Sequence, residues 1–113
     1  MPKPENLQGA LELLVLNVLR RGPRHGYAIA AEIQQTSDEV LRVEAGSLYP
    51  ALHRMMEAGL LKSEWRKSEV GRRARFYEIT AKGRRQLDAG ERKWRAVSVA
   101  IAKVLNAAES VNG

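Results

Sequence analysis

The segment AGSLYPALHRMMEAGLL at residues 45–61 brings together polar side chains that could bind an anion. Ser47 and Tyr49 supply hydroxyl groups, and His53 and Arg54 follow one helical turn later with an imidazole and a guanidinium. The apolar residues between them recur at helical spacing, which predicts one buried face and one polar face. Free backbone N–H groups at a helix N-terminus favour phosphate, so this polar face is a candidate contact for nucleic acid.

The basic side chains of this helix have two interpretations. Arg54 could read a guanine edge, a contact worth about 1–3 kcal/mol of discrimination between bases. Alternatively, His53 and Arg54 only form a solvated helix face, and Tyr49 packs against a neighbouring hairpin. We expect Pro50 in the first helical turn, where its missing N–H removes no intrahelical hydrogen bond.

A second cationic cluster follows at residues 62–75, where six Lys or Arg side chains accompany two Glu. Apolar and polar residues alternate on either side of Gly71, which predicts a two-stranded hairpin with a basic tip. Arg72, Arg73 and Arg75 are therefore candidate contacts to phosphates or to the minor groove. The alternative is a charge run that only aids solubility, and Arg75 could instead cover a core edge with its apolar stem.

The composition limits the classes of function. A chain of 113 residues predicts one domain, and the net charge of +6 with a pI near 10.1 favours nucleic acid over a membrane surface as partner. The chain has no cysteine, and its histidines, His25 and His53, are far apart in sequence. We therefore expect no enzymatic activity, no metal and no cofactor.

The N-terminal apolar run is interrupted by Glu12 and Asn17 and lacks the features of a signal peptide. It is also too short to span a bilayer. We therefore expect a cytoplasmic protein without a membrane segment.

Helical periodicity predicts three helices before the hairpin and one after it. The first covers residues 7–21, the second residues 27–35 with Tyr27 on its buried side, and the third ends at Gly59. Residues 1–6 are expected to be a disordered tip, and the connection at residues 36–44 is longer than a usual helix-turn-helix turn. Thr80 is a favourable N-cap for a long helix over residues 81–108.

The long helix carries two interleaved seven-residue repeats: Leu87, Trp94, Ile101 and Ala108, and Gly90, Val97, Val104 and Val111. Such a pattern is typical of a coiled-coil seam, which predicts a partner helix. The first helix is apolar on more than one side, which also indicates a second subunit. We expect a mostly α fold with a small β-hairpin, divided into a winged helix-turn-helix at residues 1–80 and a C-terminal dimerisation helix at residues 81–113.

The sequence resembles the PadR-like transcriptional regulators in three motifs: HGYAIAAEI at 25–33, GSLYPALHRMMEAGLL at 46–61, and GRRARFYEITAKG at 71–83. These motifs stand in the family's order, and the resemblance covers about residues 7–108. The chain departs from the family at Met55 and Met56, where leucine is common, and at Phe76–Glu78, where a pair of aromatic residues is frequent. Its single C-terminal helix resembles the short subfamily.

The resemblance implies a homodimeric winged-helix repressor whose last helix packs against the first helix of the partner. It also implies that operator DNA is contacted by Tyr49, the start of the third helix and the arginines of the hairpin, and that His25 and Tyr27 contact backbone phosphate. The expected DNA-binding residues are therefore His25, Tyr27, Ser47, Tyr49, His53, Arg54, Arg72, Arg73 and Arg75.

Some members of this family bind flat aromatic or phenolic molecules at the dimer interface. Here Trp94 either fills the dimer core or flanks such a cavity, for which Leu14, Val97 and Ile101 could supply apolar walls. A ligand would change DNA affinity only by favouring one spacing of the two DNA-binding domains of the dimer. The competing interpretation is a dimeric winged-helix adaptor that binds no DNA, which a salt-dependence measurement on duplex DNA distinguishes.

Overall fold

The computed structural model describes residues 4–67 and 69–112. In chain order the elements are α1 (Pro4–Leu19), β1 (Arg24–His25), α2 (Gly26–Thr36), α3 (Ala45–Glu57), β2 (Leu61–Lys67), β3 (Arg73–Ile79) and α4 (Ala81–Asn112). This mostly helical arrangement with a small sheet confirms the predicted fold class. The expected disordered tip is wrong for residues 4–6, because α1 begins at Pro4, a residue that the first turn of a helix accepts. Residues 1–3 lie outside the described residues.

The sheet has three antiparallel strands in the order β1-β3-β2. The predicted hairpin is present as β2 and β3, but β1 was not predicted. It pairs Arg24 with Tyr77 and His25 with Phe76. A strand of two residues is too short to show an alternating pattern, so only the fold reveals it.

The core lies between α1, α2, α3, the base of the hairpin and the first turns of α4. Its largest fully buried side chains are Leu16, Leu19, Ile29, Leu48, Leu52, Met55, Leu87 and Val15. The expectation for Tyr27 is wrong, because its side chain is 78% exposed while Ile29 and Ile33 fill the inner side of α2. Leu11 and Leu14 lie at the edge of the core and are only partly buried.

The third helix begins at Ala45, and Pro50 is inside it. The prediction of a first-turn proline is therefore wrong, and Pro50 cannot donate to the carbonyl of Gly46. Both residues are exposed, so water can replace the missing bond. Gly59 follows the C-cap with φ of +79°, the left-handed conformation expected at this helix end.

Two helical glycines allow α4 to pack closely on the rest of the domain. Thr80 caps the helix as predicted, because its Oγ accepts a hydrogen bond from the Gly83 N–H at 3.0 Å. A Cβ on Gly83 would lie 2.3 Å from the carbonyl oxygen of Leu60, and one on Gly90 would lie 2.9 Å from Leu13 Cδ1. Glycine at these positions therefore serves packing, although it lowers helix propensity.

The second half of α4 projects away from the domain. Every side chain from residue 92 to residue 107 is exposed, a stretch roughly 24 Å long, and the molecule measures 59 × 28 × 24 Å. The exposed apolar side chains of this half are Trp94, Val97, Val99, Ile101, Val104 and Leu105. No helix among the described residues is long and apolar enough to cross a membrane.

Replacing Gly83 with alanine should lower the free energy of unfolding by about 1–3 kcal/mol, because the added methyl group has no room beside the Leu60 carbonyl. Urea denaturation followed by circular dichroism, at fixed protein concentration, measures the change. Gly9→Ala is the matched control, since a Cβ on Gly9 meets nothing within 4 Å and should leave stability unchanged or raise it by up to about 1 kcal/mol. Equal effects of the two substitutions would contradict the close packing of α4 on the hairpin.

Candidate nucleic-acid interface

The third helix turns a short polar face away from the core. Its buried side is formed by Leu48, Ala51, Leu52 and Met55. At about 100° per residue, the opposite side carries Gly46, Pro50, His53 and Glu57. His53 is exposed, and its Nε2 lies 3.3 Å from the Glu57 carboxylate. The imidazole therefore stands at the solvent side of the helix, where a DNA groove could receive it.

Arg54 and Ser47 lie on a different side of α3 from His53. The Nε of Arg54 is 3.7 Å from the Glu12 carboxylate of α1. Arg54 and Ser47 both line an open cavity of about 530 Å³ between α1, the residue 41–44 segment and α3, and Leu14 lines the same cavity. His53 and Arg54 are adjacent in the sequence, but in the structure their side chains therefore lie on different sides of α3.

Tyr49 connects α3 to the start of α2. Its ring packs so closely on Gly26 that a Cβ there would lie 2.7 Å from both Cε1 and the hydroxyl oxygen of Tyr49. The side chain nevertheless remains 47% exposed. One part of the phenol therefore fixes the two helices together, while the other part is available to a ligand.

His25 has a structural role that the sequence did not reveal. Its Nδ1 accepts a hydrogen bond from the Ala28 N–H at 3.2 Å and so caps α2. Its ring also contacts Phe76 edge-on, with centroids 5.4 Å apart. The exposed ring of Tyr27 lies beside it at 6.5 Å. The two residues thus form one corner of the domain, next to Gly26 and Tyr49.

The hairpin carries a basic face that continues the core side of the sheet. Residues directly opposite each other share a face, and the register pairs Ser63 with Tyr77, Trp65 with Arg75, and Lys67 with Arg73. We call Ser63, Trp65, Lys67, Arg73 and Arg75 the inner wing face. Within it, the Arg75 Nε donates to Ser63 Oγ at 2.8 Å, and the Arg73 guanidinium lies 5.5 Å from the Trp65 ring centroid.

Tyr77 joins the inner wing face to α3. Burial raises the pKa of the Tyr77 phenol, the charge of Arg75 lowers it, and Tyr49 raises it. The phenol is therefore neutral at physiological pH. Tyr77 is buried in the same core as Leu48 and Leu52 of α3, so the inner wing face continues outward from the side of the sheet that faces the helices.

Three members of the inner wing face, Ser63, Trp65 and Lys67, were not predicted as site residues. Alternation along a strand indicates which side chains share a face, but not how far the hairpin extends beyond the core. Arg72 follows Gly71 at the tip, where φ of +82° makes the turn. Arg72 is exposed. Arg66 lies on the other face, with its guanidinium 5.3 Å from the Phe76 ring centroid.

The four residues expected to hold an effector do not line one cavity in the described part of the chain. Trp94, Val97 and Ile101 lie on the exposed half of α4. Leu14 lies on α1, and none of the other three lines the cavity beside it. The expected effector site therefore stays a prediction that requires an assembly of chains.

Comparison with known proteins identifies the family. The model of the transcriptional regulator PadR-like family matches residues 15–89, which include the second and third helices, the hairpin and the start of α4. A transcriptional regulator of Mycobacterium tuberculosis is 35% identical over 85 residues, which cover 75% of this chain and 76% of that protein.

Solved structures agree with this match. A PadR family transcriptional regulator from Eggerthella lenta has a TM-score of 0.72 and 34% identity, with 88% of this chain and 86% of that one covered. A PadR-like transcriptional regulator from Bacillus cereus has a TM-score of 0.76 and 29% identity, with 89% and 96% covered. The chain therefore belongs to the PadR-like family, and it is a DNA-binding transcriptional regulator and not an enzyme.

Proposed function

We propose that the protein is a cytoplasmic homodimeric repressor that binds operator DNA and is released by a small aromatic or hydrophobic effector. The observation that carries the DNA-binding mode is the exposed start of α3 together with the basic inner wing face, where Arg73 and Arg75 accompany Trp65. In this proposal residues 1–80 bind DNA and residues 81–113 hold two copies together.

The N-terminal part of α3 enters the major groove, as the recognition helix of a helix-turn-helix does. Ser47 and Tyr49 in the first turns contact phosphates near the helix N-terminus, and His53 on the solvent side of the third turn reaches a base edge. Tyr27 reaches the backbone beside them from α2, since its ring is exposed at the same corner of the domain. The tip of the hairpin reaches the adjacent phosphates or minor groove with Arg72, Arg73 and Arg75.

Two of the proposed contacts have competing partners within the chain. Arg54 faces Glu12, so a contact to DNA would require the guanidinium to exchange this carboxylate for a phosphate or a guanine. His25 uses Nδ1 to cap α2, so a phosphate contact would use Nε2. We therefore propose that these two residues contribute less to affinity than the arginines of the hairpin.

A second copy of the chain covers the exposed apolar side of α4. The heptad positions Trp94, Val97 and Ile101 are all exposed in the single chain, whereas Leu87, one heptad before Trp94, is fully buried in the core. The seam therefore continues from inside the domain to a surface that a partner helix would bury. In such a dimer, Leu14 on α1 approaches α4 of the other copy, and an effector would bind between these helices.

Replacing both Arg72 and Arg73 with alanine should weaken binding to duplex DNA of any sequence. The slope of log K against log salt concentration should fall in magnitude by about 0.9 for each phosphate that the variant no longer neutralises. Fluorescence anisotropy of a labelled duplex over a series of salt concentrations measures both quantities. The control replaces Arg92 and Lys103, which lie on the side of α4 roughly opposite the seam, and removes the same charge without touching the hairpin.

The outcomes separate the two candidate functions. A reduced slope in the hairpin variant and an unchanged slope in the control support phosphate contacts by the hairpin. Equal slopes in both variants would remove the hairpin from the DNA interface. If the unmodified protein bound no duplex at low salt, the adaptor interpretation would replace the repressor.

Replacing Trp94 with alanine should raise the dissociation constant of the dimer by at least about 10-fold, as expected for truncation of a large aromatic side chain in an interface core. Sedimentation equilibrium measures this constant, and binding of a hydrophobic dye tests the effector cavity. Val97→Ala and Val99→Ala form a matched pair, because the two valines lie about 160° apart around α4 and only Val97 is in the seam. Unchanged sedimentation and dye binding in the Trp94 variant would exclude both roles of this residue.

A further inference from the structure

We propose that Trp65 contacts the sugar–phosphate backbone of duplex DNA, with its indole packed on a deoxyribose and with Arg73 held against the ring for the neighbouring phosphate. This inference rests on the proposed DNA binding by the hairpin. It adds a residue and a chemical role to that interface, namely an aromatic contact that does not depend on base sequence.

The first observation is the exposure of Trp65, which reaches 58% although the residue lies on the core side of the sheet. Leu61, Tyr77 and Ile79 on this side are buried and complete the core at the base of the hairpin. Trp65 lies beyond them, where the strands extend past the helices. A large aromatic side chain that contributes little to the core, and lies among cations, is characteristic of a binding surface.

The second observation is the contact between Arg73 and the ring. The guanidinium carbon lies 5.5 Å from the ring centroid, a distance at which a cation is attracted to the face of an indole. This contact restricts the guanidinium, and a planar guanidinium held beside an indole can still bind phosphate in a bidentate manner. Trp65 therefore positions Arg73 as well as offering its own surface.

The third observation is the direction in which this pair faces. Ser63 and Tyr77 are paired, and Trp65 and Arg75 are the next pair on the same side of the sheet, about 7 Å further along the strands. Tyr77 on this side is buried in the core to which α3 also contributes. Trp65 is therefore on the side of the hairpin that faces the helices, among them the proposed recognition helix α3.

The order of chemical groups along this surface matches a nucleic-acid backbone. Arg75 comes first with Trp65 opposite it, and Arg73 with Lys67 follows one strand repeat further out. A DNA strand alternates anionic phosphates with sugars that present apolar edges, and contacts to these groups position a protein without reading bases. Cationic positions one strand repeat apart, with one aromatic side chain beside the first of them, fit that pattern.

The test begins with proteins that contain a single tryptophan. The chain has two tryptophans, so Trp94→Phe leaves Trp65 as the only indole and Trp65→Phe leaves Trp94. Each is titrated with a random-sequence duplex at low salt, while binding is followed independently by anisotropy of the labelled duplex. We expect the emission of Trp65 to change in proportion to binding and the emission of Trp94 to stay constant.

Affinity measurements on further variants supply the second readout. Trp65→Ala should weaken binding to the duplex by roughly 3-fold to 10-fold, and Trp65→Phe by less than about 3-fold. The loss in the double variant with Arg73→Ala should be smaller than the product of the single losses, because the two side chains act together. Val99→Ala is the control, since Val99 is an exposed apolar residue of α4 outside both the hairpin and the seam and should not affect binding.

Two results would overturn the inference, and they are distinguishable. If the unmodified protein binds the duplex while Trp65→Ala binds equally well and Trp65 emission does not respond, Trp65 makes no contact and the proposed function remains. If the unmodified protein binds no duplex at low salt, the proposed function fails, and the inference fails with it. Circular dichroism of each variant verifies that the change at this exposed position leaves the fold intact.

Discussion

The exposed apolar side of α4 is the constraint on which the rest of the structure depends. From residue 92 to residue 107 every side chain of this helix is exposed, yet it keeps Trp94, Val97 and Ile101 at heptad positions. Apolar surface left in water costs roughly 25 cal/mol per Å² relative to burial, and most helical stability in proteins comes from packing. In the proposed dimer, a second copy would supply the same seam in the opposite direction, because a two-fold interface is self-complementary. The two DNA-binding surfaces of that dimer would then face the duplex with a separation that α4 determines.

The helix α4 can set the separation of the two DNA-binding surfaces only if each surface is fixed relative to α4. Close contacts at glycine positions provide this connection. Gly83 brings α4 onto the carbonyl of Leu60 at the base of the hairpin, and Gly26 brings α2 onto the ring of Tyr49. Thr80 adds a hydrogen bond from its hydroxyl to the Gly59 carbonyl at 2.7 Å. Since well-packed contacts do not deform continuously, an effector that shifts α4 would move the recognition helix and the hairpin with it.

The sequence predicted the long, periodic elements well and the local details less well. The helices, the hairpin, the Thr80 cap and the end of α3 at Gly59 follow from apolar spacing and from residues with strong local preferences. Apolar spacing could not show whether Tyr27 is buried or exposed. An aromatic residue at a helical position is equally compatible with a core and with a DNA-binding surface. The position of Pro50 within α3 was predicted wrongly because no capping residue marks the start of this helix. The residue before α3 is Glu44, and its side chain makes no cap hydrogen bond. Trp65 was missed since strand alternation does not show where the core ends.

The most direct test of the paired arrangement is selection of bound sites from a random pool of duplex DNA, followed by sequencing. We expect an inverted repeat whose half-sites lie about one helical turn of B-form DNA apart, or a multiple of it, because each half-site would occupy one recognition helix. Enrichment of a single unrepeated site, or of no site at all, would contradict the claim that α4 pairs two copies for reading DNA.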